Sequence, residues 1–265
     1  MKTYAFLFVI MLIFFGCATI PDEPKLAETT GYQVIMWSTA SYIPAYADFY
    51  TPVVWFEGYD KYSEFRDSHD LDSFDEMGTT PLLWRNGRNV VEQISDAEGL
   101  SAYWADYADD PGIPIGIDEF GHTTREADSI LADALLLTDA NYPDLPVYVW
   151  HAGQLNSHYI RAYRDSSAYV LLELYTSDVY FMPASLGSRL SRARRNGFSD
   201  RVFVALGIQD TGEGAPLWSY NAEILRTQIR WCLENYPEIA GFAFFAPRAS
   251  TGLLDELGKI LREEL

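Results

Sequence analysis

Gly112-Ile113-Pro114-Ile115-Gly116-Ile117-Asp118-Glu119-Phe120-Gly121 is a β-branched run that ends in two acids, an aromatic and a glycine, and His122-Thr123-Thr124-Arg125-Glu126 follows at once. Isoleucines at alternate positions fit an extended strand, whose side chains point to opposite faces in turn. Thr123 and Glu126 have the spacing of a capping box, in which a hydroxyl and an acid satisfy the first free amides of a helix. Beyond them Ile130, Leu131, Ala134 and Leu135 share one helical face. A strand that turns directly into an amphipathic helix is the elementary unit of a parallel sheet with helical crossovers.

The same alternation extends outward in both directions. Short apolar strands are predicted at 32–38, 52–57, 81–85, 113–119, 147–151, 169–175, 201–207 and 241–246, with longer polar or amphipathic segments between them. Residues 38–80 carry the least regular pattern, and the first crossover there is short. In the helix predicted over 221–235, Ala222, Leu225, Ile229 and Cys232 form one apolar face; Leu253, Leu254, Leu257, Ile260 and Leu261 do the same near the end of the chain. Eight strands with intervening helices in about 235 residues match a single (β/α)8 barrel of the TIM type, an α/β fold. A doubly wound open sheet calls for a glycine-rich turn after its first strand, and Trp37-Ser38-Thr39-Ala40 offers none.

The first residues read as a targeting segment. Lys2 gives a small positive region, and an apolar stretch from Tyr4 to Phe15 ends in Gly16-Cys17. That stretch falls short of the roughly 20 residues of a comfortable membrane span. Phe14-Phe15-Gly16-Cys17 resembles a bacterial lipobox, with Phe14 and Phe15 departing from its usual leucine and small residue. The resemblance implies removal of residues 1–16, acylation of Cys17 and a tether over 17–30 ahead of one domain at 31–265, and Ala18 then suits an outer membrane. Cys232 is the only other cysteine, so acylation of Cys17 leaves no partner for a disulfide. The net charge of −19 argues against nucleic acid, because there is no basic stripe to neutralise phosphates. Seven Trp, 18 Tyr and 15 Phe exceed what a core alone calls for and point to binding surfaces.

In a barrel of this kind reacting groups project from the carboxyl ends of the strands, which filters the polar residues. Those that pass are Glu57, Arg85 and Asn86, Asp118 and Glu119, His151, Glu173 and Tyr175, Gln209 and Asp210, and Arg248. The acids closing the fourth strand are the most specific. Ile117-Asp118-Glu119 resembles the fourth strand of TIM-barrel glycoside hydrolases, whose proton donor is a glutamate at this place. Asp118 departs from the asparagine common there, and the longer aspartate ladder of some families is absent. The resemblance implies Glu119 as general acid. Asp118 then either raises the Glu119 pKa by like charge or holds the strand end in place. The bland reading is a carboxylate pair that caps the following helix.

Alternation in the sixth strand puts Val170, Leu172 and Leu174 on one face and Tyr169, Leu171, Glu173 and Tyr175 on the lumen side. Glu173 is therefore either the second carboxylate that glycoside cleavage needs or the buried partner of a base such as Arg85, with Asp210 and Glu57 in reserve. His151 suits a sugar hydroxyl, proton transfer, a metal or a structural bond. Trp37, Trp55, Trp84 and Trp150 offer flat faces to sugar rings or fill the core. Substrate contacts are expected from Trp37, Glu57, Trp84, Arg85, His151, Tyr175, Asp210 and Arg248. The run Gln209-Asp210-Thr211-Gly212-Glu213-Gly214 is too acidic for phosphate and reads as a mobile substrate loop.

Three functions follow from these residues. The first is an exported, monomeric glycoside hydrolase acting on a poly- or oligosaccharide without a cofactor. The second is a non-catalytic carbohydrate-binding or cell-envelope lipoprotein on the same barrel. The third is a metal-assisted hydrolase recruiting His122 with Asp118 or Glu119; it lacks the His-x-His pair of an amidohydrolase-like first strand, and no metal site is assigned.

Overall fold

The computed structural model describes residues 32–37, 52–56, 80–108, 114–121, 124–176, 178–208, 221–246 and 249–265. The strands are β1 (Gln33–Trp37), β2 (Pro52–Phe56), β3 (Thr80–Asn86), β4 (Ile115–Phe120), β5 (Val147–His151), β6 (Tyr169–Leu174), β7 (Val202–Gly207) and β8 (Gly241–Phe245). Each coincides with a predicted strand to within two residues at either end. The helices are α1 (Gly87–Val91), α2 (Ala97–Ala108), α3 (Arg125–Asn141), α4 (Ser157–Asp165), α5 (Phe181–Ala184), α6 (Leu186–Asn196), α7 (Ala222–Asn235) and α8 (Thr251–Glu264). The connections after β1 and β2, residues 1–31 with Cys17, and the loop 209–220 lie outside the described residues.

The chain is an α/β fold on a curled parallel sheet. Each strand pairs with the next, and β8 pairs in parallel with β1, from Gln33 opposite Gly241 to Trp37 opposite Phe245, so the sheet closes. At that seam Gly241 presses on β1: an added Cβ would lie 1.9 Å from the Gln33 carbonyl oxygen, so any side chain would push the strands apart.

Two apolar layers result from the alternation. Outward residues such as Val34, Ile117, Phe120, Val149, Leu172 and Val204 meet the helices in one cluster, while Ile35, Tyr148, Trp150, Leu171, Phe203 and Ala243 fill the lumen in another. The α7 face is buried at Leu225, Ile229 and Cys232, as its spacing predicts, with Gln228 added. Burial pushes the Cys232 thiol pKa up. The α8 face is buried at Leu254, Leu257, Ile260 and Leu261, and truncating one such residue to alanine costs about 2–5 kcal/mol.

One local expectation is corrected. The helix after β4 is capped by Thr124, whose hydroxyl accepts from the Ala127 amide at 3.3 Å, not by Thr123. Either threonine satisfies an N-cap chemically, so residue type alone does not choose between them.

Candidate functional site

The bulged end of β4 begins the site. Ile117 pairs with Val149 and Phe120 with His151, so Asp118 and Glu119 together stand opposite the single residue Trp150. This is a β-bulge, a device that re-aims residues at a strand end. Ile117 and Phe120 both remain in the outer layer, so the extra residue is absorbed at the acid pair. Asp118 is buried, at 7% exposure. The Glu119 side chain lies outside the described residues, although its backbone belongs to β4.

Across the lumen, β6 delivers Glu173 as alternation predicts. Tyr169, Leu171 and Tyr175 line the inner cluster, while Val170, Leu172 and Leu174 join the outer one. Glu173 is half-buried, and the Trp150 indole N–H donates to its Oε2 at 3.1 Å. Tyr175, one residue beyond β6, keeps a buried hydroxyl. Its pKa is driven well above the usual phenol value by burial first, then by the negative charges of Glu173 and Asp118. Trp37 packs edge-on against Trp150 at 5.3 Å and against Phe245 at 4.0 Å, and Phe245 stacks on Tyr175 at 5.5 Å. The result is two carboxylates and a phenol at the carboxyl end of the sheet, floored by aromatic rings.

His151 does not join this group. Trp150 occupies the inward position, so the next residue turns outward; His151 is fully buried, and its Nδ1 lies 2.9 Å from the Tyr163 hydroxyl. Its ring also meets Tyr159 edge-on. The expected substrate contact at His151 is therefore corrected to a structural bond behind the sheet. Trp150 is likewise enclosed, and its indole serves Glu173 instead of offering an open face.

The side chains of Trp55, Trp84, Arg85 and Asn86 lie outside the described residues, as do Glu57, His122, Gln209, Asp210 and Arg248. Among the described residues no cluster of three or more His, Cys, Asp or Glu suits a metal ion.

Sequence reasoning missed two supports. Behind β4, Asp128 in the first turn of α3 accepts from Tyr159 Oη at 2.5 Å and from Asn156 Nδ2 at 2.8 Å. The Gly121 amide donates to that same tyrosine oxygen, and Asn156 caps α4 through the amides of His158 and Tyr159. The second support is Arg189 on α6, which donates from Nη2 to the Glu173 carbonyl at 2.6 Å. Its position on the buried stripe of Leu186, Leu190 and Ala193 was a readable signal, because a cation there breaks an apolar face.

In fold, the chain is similar to GH18 chitinases. A GH18 chitinase from Cycas revoluta in complex with (GlcNAc)3 aligns over 88% of this chain and 99% of its own, at 9% identity and a TM-score of 0.63. A chitinase-like agglutinin from Robinia pseudoacacia aligns over 86% and 99%, at 9% identity and a TM-score of 0.60. An endo-β-N-acetylglucosaminidase from Cordyceps militaris aligns over 87% and 90%, at 9% identity and a TM-score of 0.58. At such identities the likeness is one of fold. No protein-family model and no curated protein matches the sequence.

Proposed function

We propose that the chain is an exported, lipid-anchored glycoside hydrolase built as a complete (β/α)8 barrel, cleaving a glycan that contains N-acetylglucosamine. The observation that carries this reading is Glu173 held by the Trp150 indole N–H above a floor of Trp37, Phe245 and Tyr175, beside the bulge that bears Asp118 and Glu119. The substrate class comes from the names of the structural neighbours, which are chitinases and an endo-β-N-acetylglucosaminidase.

In the proposed reaction Glu119 gives its proton to the glycosidic oxygen as the bond from that oxygen to the anomeric carbon breaks. The leaving sugar departs as an alcohol, and positive charge develops on the ring. Glu173, ionised, offsets that charge and serves as base or nucleophile; a water molecule then supplies the new hydroxyl, and its proton returns to a carboxylate. Tyr175 and Asp118 hold the reacting group in place.

The test is hydrolysis of a chito-oligosaccharide by the purified chain. Glu119→Gln should lower kcat/KM by about 100-fold or more, the usual range for a general acid, while thermal unfolding stays unchanged. Unaltered turnover in that variant removes Glu119 from the mechanism. A second reading has a specific observation in its favour, since one neighbour is a chitinase-like agglutinin and not a named enzyme. Saturable binding of the oligosaccharide by calorimetry, with no cleavage, would make this a carbohydrate-binding lipoprotein. The anchor is tested separately. Cys17→Ser should move the protein from the membrane fraction to the soluble one, and continued sedimentation with membranes would reject acylation at that position.

A further inference from the structure

Val179-Tyr180-Phe181-Met182-Pro183-Ala184 is an uninterrupted apolar run placed where the chain leaves the end of β6 and enters α5. Burial would explain such a run, yet Met182 alone in it is buried, and Tyr180, Phe181, Pro183 and Ala184 are exposed. Among the described residues the exposed large apolar side chains are Tyr142, at 38%, Phe181, at 50%, and Tyr180, at 89%, so two of the three are neighbours on this one turn. Single exposed apolar residues are ordinary, whereas a contiguous set marks a contact surface.

The turn is held in this shape. The Tyr180 amide donates to Asp178 Oδ1 at 2.8 Å, and the Asp178 amide donates to Thr176 Oγ1 at 3.0 Å. From α7, Gln228 Nε2 donates to the Thr176 carbonyl at 2.6 Å. Met182 reaches into the outer apolar layer, and the ring of Pro183 fixes its own φ. Rings presented on an anchored turn lose little freedom when a ligand stacks on them, which is the condition under which aromatic contacts add most to affinity.

Position and charge decide what fits there. Tyr180 follows Tyr175 of the aromatic floor by five residues, a stretch that spans at most about 18 Å when fully extended. The two rings therefore stand at the rim of the same end of the sheet as the acids of β4 and β6. Asp178 lies beside them and the chain carries a net charge of −19, so an anionic glycan or an anionic lipid surface is repelled. A neutral sugar ring is not, since its C–H face packs on an aromatic ring while its hydroxyls stay hydrated.

We infer that Tyr180 and Phe181 form a distal subsite, an aromatic platform on which a neutral glycan chain rests as it runs outward from the aromatic floor past the end of β6. This rests on the glycan-cleaving reading above and deepens it by making chain length a determinant of affinity.

The experiment compares a chito-trisaccharide with a chito-hexasaccharide. Binding is read by calorimetry in the Glu119→Gln background, to suppress cleavage, and hydrolysis is read in the parent. Tyr180→Ala combined with Phe181→Ala should weaken the hexasaccharide about tenfold more than the trisaccharide, the scale expected for two lost stacking rings. Tyr180→Trp keeps a ring and should hold the parent affinity. Tyr142→Ala, at the carboxyl end of α3 and so at the opposite end of the sheet, should change neither sugar. Equal effects on the two lengths overturn the inference, as does failure of both sugars to bind. If the double variant does not melt cooperatively, Tyr180→Ala alone decides, because that ring is almost fully exposed: a several-fold loss weighted to the hexasaccharide supports the platform, and equal effects overturn it.

A lipid surface is the competing occupant. If the Cys17→Ser chain sediments with vesicles of phosphatidylethanolamine and phosphatidylglycerol, and the double variant loses that sedimentation with glycan affinity unaltered, the rings serve a membrane and the inference is overturned. If the length-dependent binding is lost in the double variant but the parent cleaves no glycan, the platform stands and the hydrolase reading falls. If the parent cleaves and the double variant treats both lengths as the parent does, the hydrolase reading stands and the platform falls.

Discussion

Trp150 shows how one side chain can be both floor and donor. Its ring closes the lumen against Trp37, and its N–H ends on Glu173. The facing of Glu173 was legible because its outward neighbours are all aliphatic. The facing of His151 was not, because Val147 to Trp150 is apolar on both sides and gives alternation nothing to distinguish. Tyr148, deeper in the same strand, carries a measurable consequence. Burial, with the charge of Tyr169 added, raises its pKa to about 12. A folded-state pKa above the unfolded one gives stability that is complete below the unfolded value and disappears as pH rises through the folded one. Urea denaturation should therefore show the chain weakening between about pH 10 and 12, and Tyr148→Phe should flatten that decline. An equally steep loss in the variant would assign the alkaline weakness to other groups.

The junction of β4, α3 and α4 is the element on which the site depends. Gly121 turns with positive φ, and a Cβ on Gly153 would lie 2.1 Å from the Gly121 oxygen, so the ends of β4 and β5 are joined by backbone contact. Asp128 fastens this contact to both helices through Tyr159 and Asn156. Asp128→Ala would strand the buried Tyr159 hydroxyl and the half-buried Asn156 amide and should cost roughly 2–3 kcal/mol in chemical denaturation. A loss below about 0.5 kcal/mol, ordinary for a surface position, would reject the network. The strand and the apolar face of α3 were readable here, since period and apolar content both announce them, whereas α4 was not predicted. The network was not, because Asp128, Asn156 and Tyr159 belong to different helices and only the closed sheet brings them together.

For the whole molecule, closure is what converts scattered signals into one site. Acids 55 positions apart in the chain, Asp118 and Glu173, come to the same end of the sheet because β4 and β6 flank β5. Spacing along the sequence gave the strands, and the strand count gave their neighbours; the segments 38–51 and 57–79, where the pattern is least regular, lie outside the described residues. Closure also makes the chain intolerant of miscounting. Every strand is gripped from two sides, so loss of one residue would turn all that follow it within that strand to the wrong face. The tip of β4 is the exception, because three steps there already answer two on β5. Excising Glu119 altogether would return the strand to simple alternation, with Asp118 inward and Phe120 still outward. That shortened chain should melt within a few degrees of the parent while deletion of Gly116 should abolish folding, a contrast readable by circular dichroism. The proposed acid would then be a spare letter in the strand, one the architecture can spell itself without.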